Sequence, residues 1–297
     1  MCGIAGLFIK NEALEPRLGA LLEEMTISLT GRGPDSAGFA LYTKAENGKV
    51  KLSVIGADGV DLKEVGQQLA AELGVEVDTS VRHTNAIYTV PSDSAQKAIE
   101  WIDANPDDLA LIGQGNRLEM FKEKGLPKDV CEAFGISKMS GTHGIAHTRM
   151  ATESAVTPDG AHPFSTAPDQ CLVHNGSISN HASLRRTLEK EGVTIRTEND
   201  SEVAAGYLSK ELQDGHSLGE ALENSIDDLD GFFTFVVGTE NGFGVLRDPI
   251  ACKPAVMAET DDYVAFASEY KILTALPGIE NARVWEPTPA QSYFWEH

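Results

Sequence analysis

Apolar runs without helical period stand near both ends of this chain: "CGIAGLFI" at residues 2–9 and "GFFTFVVGTE" at 231–240. Such a run reads as a strand covered on both faces, because a helix or a half-exposed strand would interrupt it with polar residues. "GTHGIAHTRMAT", "QCLVHNGSIS", "GFGVLRDP", "PAVMAET", "YVAFASE" and "QSYFWE" read as further strands. Helical patterns lie between them. In "EPRLGALLEEMTISLTGRG", Leu18, Leu21, Leu22, Met25 and Leu29 share one face, and the Gly31–Gly33–Pro34 region stops the helix. "NHASLRRTLEKEG" is a helix that Asn180 can cap and Gly192 can end, followed by "SEVAAGYLSKELQDG" and "SLGEALENSIDDL". Strand blocks separated by helix blocks imply a layered α+β domain with helices covering sheets.

The middle of the chain has another texture. After the strands "SAGFALYT" and "KVKLSVIGA" around the turn "AENGK", helix and strand alternate: "DLKEVGQQLAAELG", "RHTNAIYTVPS", "DSAQKAIEWIDANPD", "LALIGQG", "LPKDVCEAF". This predicts a small inserted α/β module at about 60–138. No repeat, low-complexity tract or flexible linker is visible.

The 297 residues are 41% hydrophobic and 23% charged, the profile of a soluble globular chain. A net charge of −21 argues against nucleic acid and against anionic membrane surfaces, both of which need clustered Lys and Arg. No run approaches the ~20 apolar residues of a membrane span. The stretch Gly3 to Ile9 is too short, and lacks the basic leader, for a secretory signal. Cys2, Cys131, Cys171 and Cys252 form no CxxC pair, so neither an iron–sulfur nor a structural zinc site is expected. These features predict a cytoplasmic protein with reduced thiols.

Cys2 is either a buried thiol at the start of a core strand or, once Met1 is removed, a nucleophile that carries its own base. A free thiol has a pKa of ~8.5 and a free α-amine one of ~7.7–8.0, so the amine can exchange protons near neutrality. Such a pair can attack a carboxamide carbon and pass a proton to the departing nitrogen. The attack creates an oxyanion that needs preset donors. In "LVHNGSIS", Asn175 brings a side-chain amide, and Gly176 can turn its N–H inward; a plain Asn-Gly turn is the competing reading. Arg149 in "AHTRMAT" can pair bidentately with a carboxylate. Asp200 in "TENDSEVAA" can hold an amine, or it or Ser201 can cap the following helix. Arg32 sits in the Gly/Pro-rich loop "GRGPDSAG".

Other chemistries fit less well. His143 and His147 of "HGIAH" are four apart, but on a strand that separation is ~13 Å, too far for one ion with ~2 Å bonds. No metal site is therefore expected. "GQGN" at Gly113 lacks the remaining residues of a phosphate loop and reads as a turn. The aromatic runs "FFTF" and "YFWE" read as core strands.

Taken in order, "MCGIAGLF", "RGPDSAG", "AHTRMAT", "AHPF", "HNGSISN" and "NDSE" resemble the glutaminase domain of class II glutamine amidotransferases over residues 1–55 and 139–285. The resemblance implies a four-layer αββα N-terminal-nucleophile hydrolase fold spanning 1–297. It implies Cys2 as nucleophile, Asn175 and Gly176 as the oxyanion hole, Arg149 on the glutamine α-carboxylate and Asp200 on its α-amine. Thr152 and His162 would line the same pocket, and Arg32 would sit in the loop that organises the site. Two departures stand out. The stretch between RGPD and HTR is far longer than in relatives, and no synthase domain follows the glutaminase region. This arrangement is similar to the free-standing glutaminase subunits of split glutamate-synthase-like complexes, of the GlxB or N-methylglutamate synthase type. That similarity implies glutamine hydrolysis with ammonia passed to separate subunits in a hetero-oligomer. This chain would need no cofactor; FMN and possibly iron–sulfur clusters would sit on the partners. A stand-alone amidase on another γ-glutamyl amide and a non-catalytic scaffold subunit are the alternatives.

Overall fold

The computed structural model describes residues 2–150 and 156–297. Strand β1 (Gly3–Ile9) is buried along its whole length because it has a core on each face. Ala5, Leu7 and Ile9 belong to one core and Ile4 and Phe8 to another, as the two-residue alternation of a strand requires. It is the centre of a seven-stranded sheet. Its neighbours are β8 (His143–Arg149) and β13 (Tyr263–Ala267). Beyond β8 come β2 (Ser36–Tyr42) and the edge strand β7 (Leu118–Lys124); beyond β13 come β12 (Val256–Glu259) and the short β14 (Arg283–Trp285). The pairings are antiparallel. A second sheet orders β15 (Ser292–Glu296), β11 (Gly242–Arg247), β10 (Gly231–Gly238) and β9 (Cys171–Ile178), again antiparallel.

Ile4, Phe8, Val173, Val236, Phe243 and Val245 fill the space between these two sheets. Helices α1 (Leu18–Ser28) and α4 (Pro127–Phe134) cover the outer face of the first, through Leu21, Leu22, Met25, Val130 and Phe134. On the outer face of the second lie α5 (His181–Lys190), α6 (Asp200–Gln213) and α7 (Leu218–Asp228), with Val203, Leu208, Leu218 and Leu222 turned inward. The order is helix, sheet, sheet, helix: the four-layer αββα architecture.

The third sheet belongs to the middle of the chain. It orders β4 (Asp78–Arg82), β5 (Asn85–Pro91), β3 (Lys49–Gly56) and β6 (Leu109–Gly115), antiparallel throughout, with α2 (Leu62–Leu73) and α3 (Ala95–Asp103) on one face. The βαββαβ connectivity with this strand order is a split βαβ arrangement. It differs from the expected 60–138 at both ends. "KVKLSVIGA" is β3, a central strand of this third sheet, and not part of the main one. "LPKDVCEAF" is α4, which packs on α1, and β7 before it joins the main sheet. "RHTNAIYTVPS" holds a hairpin turn, His83 and Thr84, between β4 and β5. The other face of the third sheet rests on β7: Ile55 and Ile112 share a core with Leu118 and Met120.

The turn between β6 and β7, the "GQGN" stretch, is fixed by an anion from within. Asp169 accepts backbone N–H bonds from Asn116 (2.6 Å), Arg117 (2.8 Å) and Leu118 (2.9 Å). A Cβ on Gly115 would lie 2.2 Å from its carboxylate, so glycine is required there. A carboxylate that satisfies three main-chain donors is costly to remove. Asp169→Ala is expected to lower the unfolding free energy by ~2–3 kcal/mol in urea titrations. Asp169→Asn, which tolerates the left-handed φ of 53° and keeps one oxygen, is expected to lose less.

Candidate active site

The first turn of the site is built at the starting end of β1. Gly3 pairs with Thr148, and a Cβ on Gly3 would come within 2.6 Å of Leu29 Cδ2 and 2.9 Å of Thr148 Oγ1. Glycine there lets the main chain of Cys2 reach the seam between the sheets. The Cys2 carbonyl accepts two hydrogen bonds: from Arg32 Nε at 3.0 Å and from Asn175 Nδ2 at 3.3 Å. Arg32 and Asn175 are buried, and Cys2 is half-buried. Arg32 Nη1 also donates to Glu269 Oε1 at 3.0 Å, and Ser268 Oγ accepts from Ile4 N at 2.9 Å. Hydrogen bonds from Lys271 and then Arg32 hold the Glu269 carboxyl below the usual carboxylate range. Ser268 and Glu269 stand at the end of β13, in a segment whose sequence, "ASEYK", announces no role.

Asn175 and Gly176 are not a turn. They lie inside β9, opposite Thr234 and Phe233 of β10. A Cβ on Gly176 would sit 2.0 Å from the Phe232 carbonyl oxygen and 2.8 Å from His174 Nε2, and φ is +156°. The close approach and positive φ require glycine there.

Arg149 ends β8, beside Ser36 of β2. With Asp200 it borders a recess of about 540 Å³ that Thr157, Gly160, His181 and Asn199 also line. Asp200 is the first residue of α6, yet the helix cap is its neighbour: Asn199 Oδ1 accepts from Ser201 N at 2.9 Å. Asp200 Oδ2 instead accepts from Ile178 N of β9 at 3.0 Å, and Oδ1 from Ser201 Oγ at 3.3 Å. Asn180 likewise does not cap α5 through its side chain. Its amide reaches across to Asp228 O and Asp230 N.

Among the described residues, two groups of expected site residues come together: Cys2, Arg32 and Asn175 around one carbonyl, and Arg149 with Asp200 around one recess. His162 does not line that recess. It is buried behind it, with Nε2 2.7 Å from Ser201 Oγ, where His174 Nδ1 also lies at 2.9 Å. His147 packs against His162 at 4.1 Å between ring centroids, the rings tilted by 30°. The three rings support the residue next to Asp200, an arrangement no local pattern in the sequence reveals. Thr152 lies outside the described residues. No group of three or more His, Cys, Asp or Glu that could hold a metal ion occurs among the described residues.

The other thiols are unlike Cys2. Burial pushes Cys131 up to about 12 and Cys171 up to about 11, so neither offers a thiolate near neutrality, and Cys252 is exposed on the surface.

The glutamine amidotransferase domain family matches residues 147–275. Over 298 aligned residues the chain is 56% identical to the glutamine amidotransferase-like protein GlxB of Rhizobium meliloti (strain 1021), covering 100% of this chain and 99% of that one. The chain belongs to the glutamine amidotransferase family. It is also 33% identical over 141 residues to the isomerizing glutamine–fructose-6-phosphate aminotransferase of Idiomarina loihiensis, 48% of this chain and 23% of that longer one. The fold matches glutamine phosphoribosylpyrophosphate amidotransferase from B. subtilis with a TM-score of 0.61 at 20% identity, over 99% of this amidotransferase and 47% of that chain. The shared architecture is the N-terminal-nucleophile amidotransferase fold. No helix among the described residues is long and apolar enough to cross a membrane.

The buried histidines give the amidotransferase an acid-sensitive core. Burial holds His143 and His147 down to about 3 and His174 to about 4, with neighbouring cations and rings adding to the effect and Asp200 opposing it at His174. Their pKa values in the unfolded chain are near 6.5, so the unfolded state takes up the protons first. Stability from these groups is fully present above pH ~6.5 and is lost as pH falls toward the folded values. Each contributes a slope of about 1.4 kcal/mol per pH unit in that window. His143→Asn, remote from the recess, is expected to flatten the dependence of urea-unfolding free energy on pH between 6 and 4 by about that much. An unchanged slope would mean that His143 is charged in the folded protein.

Proposed function

We propose that this amidotransferase hydrolyses L-glutamine through a γ-glutamyl thioester on Cys2 and passes the ammonia to a partner synthase subunit. The observation that carries the reading is the hydrogen bond from Asn175 to the Cys2 carbonyl. It joins residues from two sheets and sets a side-chain amide beside the thiol-bearing residue.

Once Met1 is removed, the free amine of Cys2 takes the thiol proton and the sulfur attacks the carboxamide carbon of glutamine. The developing oxyanion accepts hydrogen bonds from Asn175 Nδ2 and Gly176 N–H. The proton goes on to the amide nitrogen, the C–N bond breaks and ammonia leaves. Water then adds to the thioester through a second oxyanion, and glutamate and the free thiol are restored. Arg149 pairs with the α-carboxylate and Asp200 with the α-ammonium. Matching both ends of an amino acid favours glutamine over amides without them. Arg32 acts through the Cys2 carbonyl, holding the nucleophile's main chain in place.

Hydrolysis of an amide involves no oxidation or reduction, so this half-reaction balances on the chain's own residues and water. Any reductive use of the ammonia requires a redox group; FMN and iron–sulfur clusters of a glutamate-synthase-like complex, of the N-methylglutamate synthase type, would supply it on other subunits. The similarity to GlxB over the full chain supports a free-standing subunit of this kind. Docking over the recess would keep ammonia from solvent.

Cys2→Ala is expected to abolish glutamate release, with loss on the order of 10⁴-fold or more in kcat. Asn175→Ala should lower kcat by about 10²–10³-fold with little change in KM. Arg149→Lys should raise KM for glutamine by about ten- to a hundred-fold. Coupled assay of glutamate release measures all three; a Cys2→Ala protein with wild-type turnover would refute the thioester route.

A further inference from the structure

The segment 191–199 joins α5 to α6 and leads into Asp200. Its other side borders a second cavity, of about 390 Å³, between β6, β7 and this segment. Four consecutive residues of β6, from Leu109 to Ile112, line it. Successive side chains of a strand point to opposite faces, so a consecutive series marks the strand's edge. β6 is indeed the last strand of the third sheet and β7 the last of the main one, so the cavity lies where two sheet edges meet.

Lys122 of β7 stands in this cavity and is only 2% exposed. Its Nζ lies 4.5 Å from the centre of the Phe164 ring and 3.4 Å from the Asp159 carbonyl oxygen. Of the other charges of the lining, Arg196 and Glu202 are matched, and Asp159 adds a carboxylate whose charge acts on Lys122. Arg196 makes a two-point ion pair with Asp103, at 2.8 and 3.4 Å. Glu202 accepts from Arg196 N, Thr197 N and Thr197 Oγ1. Lys122 has no carboxylate within ion-pair distance among the described residues. Its desolvation outweighs the more distant charges of Glu202 and Asp159, which offset it only in part. Burial draws its pKa down to about 8, which still leaves it largely protonated at neutral pH.

We propose that this cavity is a binding site for a small organic carboxylate, whose anionic group pairs with Lys122 and whose aliphatic body lies along the Ala110–Ile112 edge. The proposal does not depend on the glutaminase reading: Lys122 lines this cavity and not the recess bounded by Arg149, although Asp159, Arg196 and Thr197 border both. The partition between the two is chemical. A carboxylate without an α-amine leaves Asp200 unmatched in the glutamine recess but lacks nothing in this cavity.

Isothermal titration of the full chain with 4-methyl-2-oxopentanoate, pyruvate and hexanoate tests this, using wild type, Lys122→Met, Ala110→Phe and Arg149→Met. Ala110→Phe fills the cavity and keeps the charge, so it serves should the Lys122 variant fail to fold; circular dichroism checks both. Binding of at least one acid is expected in wild type. It should weaken ten-fold or more in Lys122→Met and Ala110→Phe and stay within two-fold in Arg149→Met. No binding of any of the three, wild-type binding by either folded cavity variant, or loss confined to Arg149→Met would overturn the assignment.

Discussion

The site depends on how the main chain of Cys2 is held. One carbonyl oxygen accepts from Arg32, which follows α1, and from Asn175, which belongs to the second sheet. Arg32 is itself anchored on Glu269 at the far end of β13. Segments far apart in sequence thus converge on Cys2. The Arg32 bond, from a buried charged donor, is stronger than a neutral surface one, and the Asn175 bond is a buried neutral one. They also fix a terminus, the part of a chain that usually frays. A nucleophile at a chain end is usable only when its position is set by the rest of the protein.

The second pillar is the strand-to-helix connection at Asp200. Because Asn199 supplies the cap, the Asp200 carboxylate is released from that duty and bonds to Ile178 of β9. It therefore travels with the same strand that carries Asn175. Arg149 is at the end of β8, which pairs with both β1 and β2. The residues proposed for recognition and chemistry are consequently held by the two sheets and the start of α6, with His162 and His174 packed behind Ser201.

Legibility from sequence followed burial. β1, β8, β9 and β10 were readable because strands covered on both faces need continuous apolar runs. Arg149 and Asp200 gain their roles only from the ordered motif set, since neither "AHTRMAT" nor "TENDSEVAA" by itself separates a ligand from a structural residue. What pattern could not supply was the partner of each strand. "KVKLSVIGA" reads equally well in either sheet, so the extent of the middle module follows only from pairing. β7, "LEMFKEK", alternates too many charges to read as a buried edge, although Lys122 within it is nearly inaccessible. β4, "DTSVR", is short and polar and carries no strand signal of its own. Glu269, Ser201 and the packed histidines act through contacts between residues far apart in sequence, which no local signal records.

The central claim is that the mature chain begins at Cys2 and that its sulfur takes the glutamyl group. Treatment with the glutamine-like electrophile 6-diazo-5-oxo-L-norleucine, followed by intact-mass and peptide mass spectrometry, tests it most directly. The account predicts a single adduct on Cys2 in a protein that has lost Met1, with activity falling in step with labelling. An adduct on Cys252, or labelling and loss of activity in a chain that still carries Met1, would contradict it.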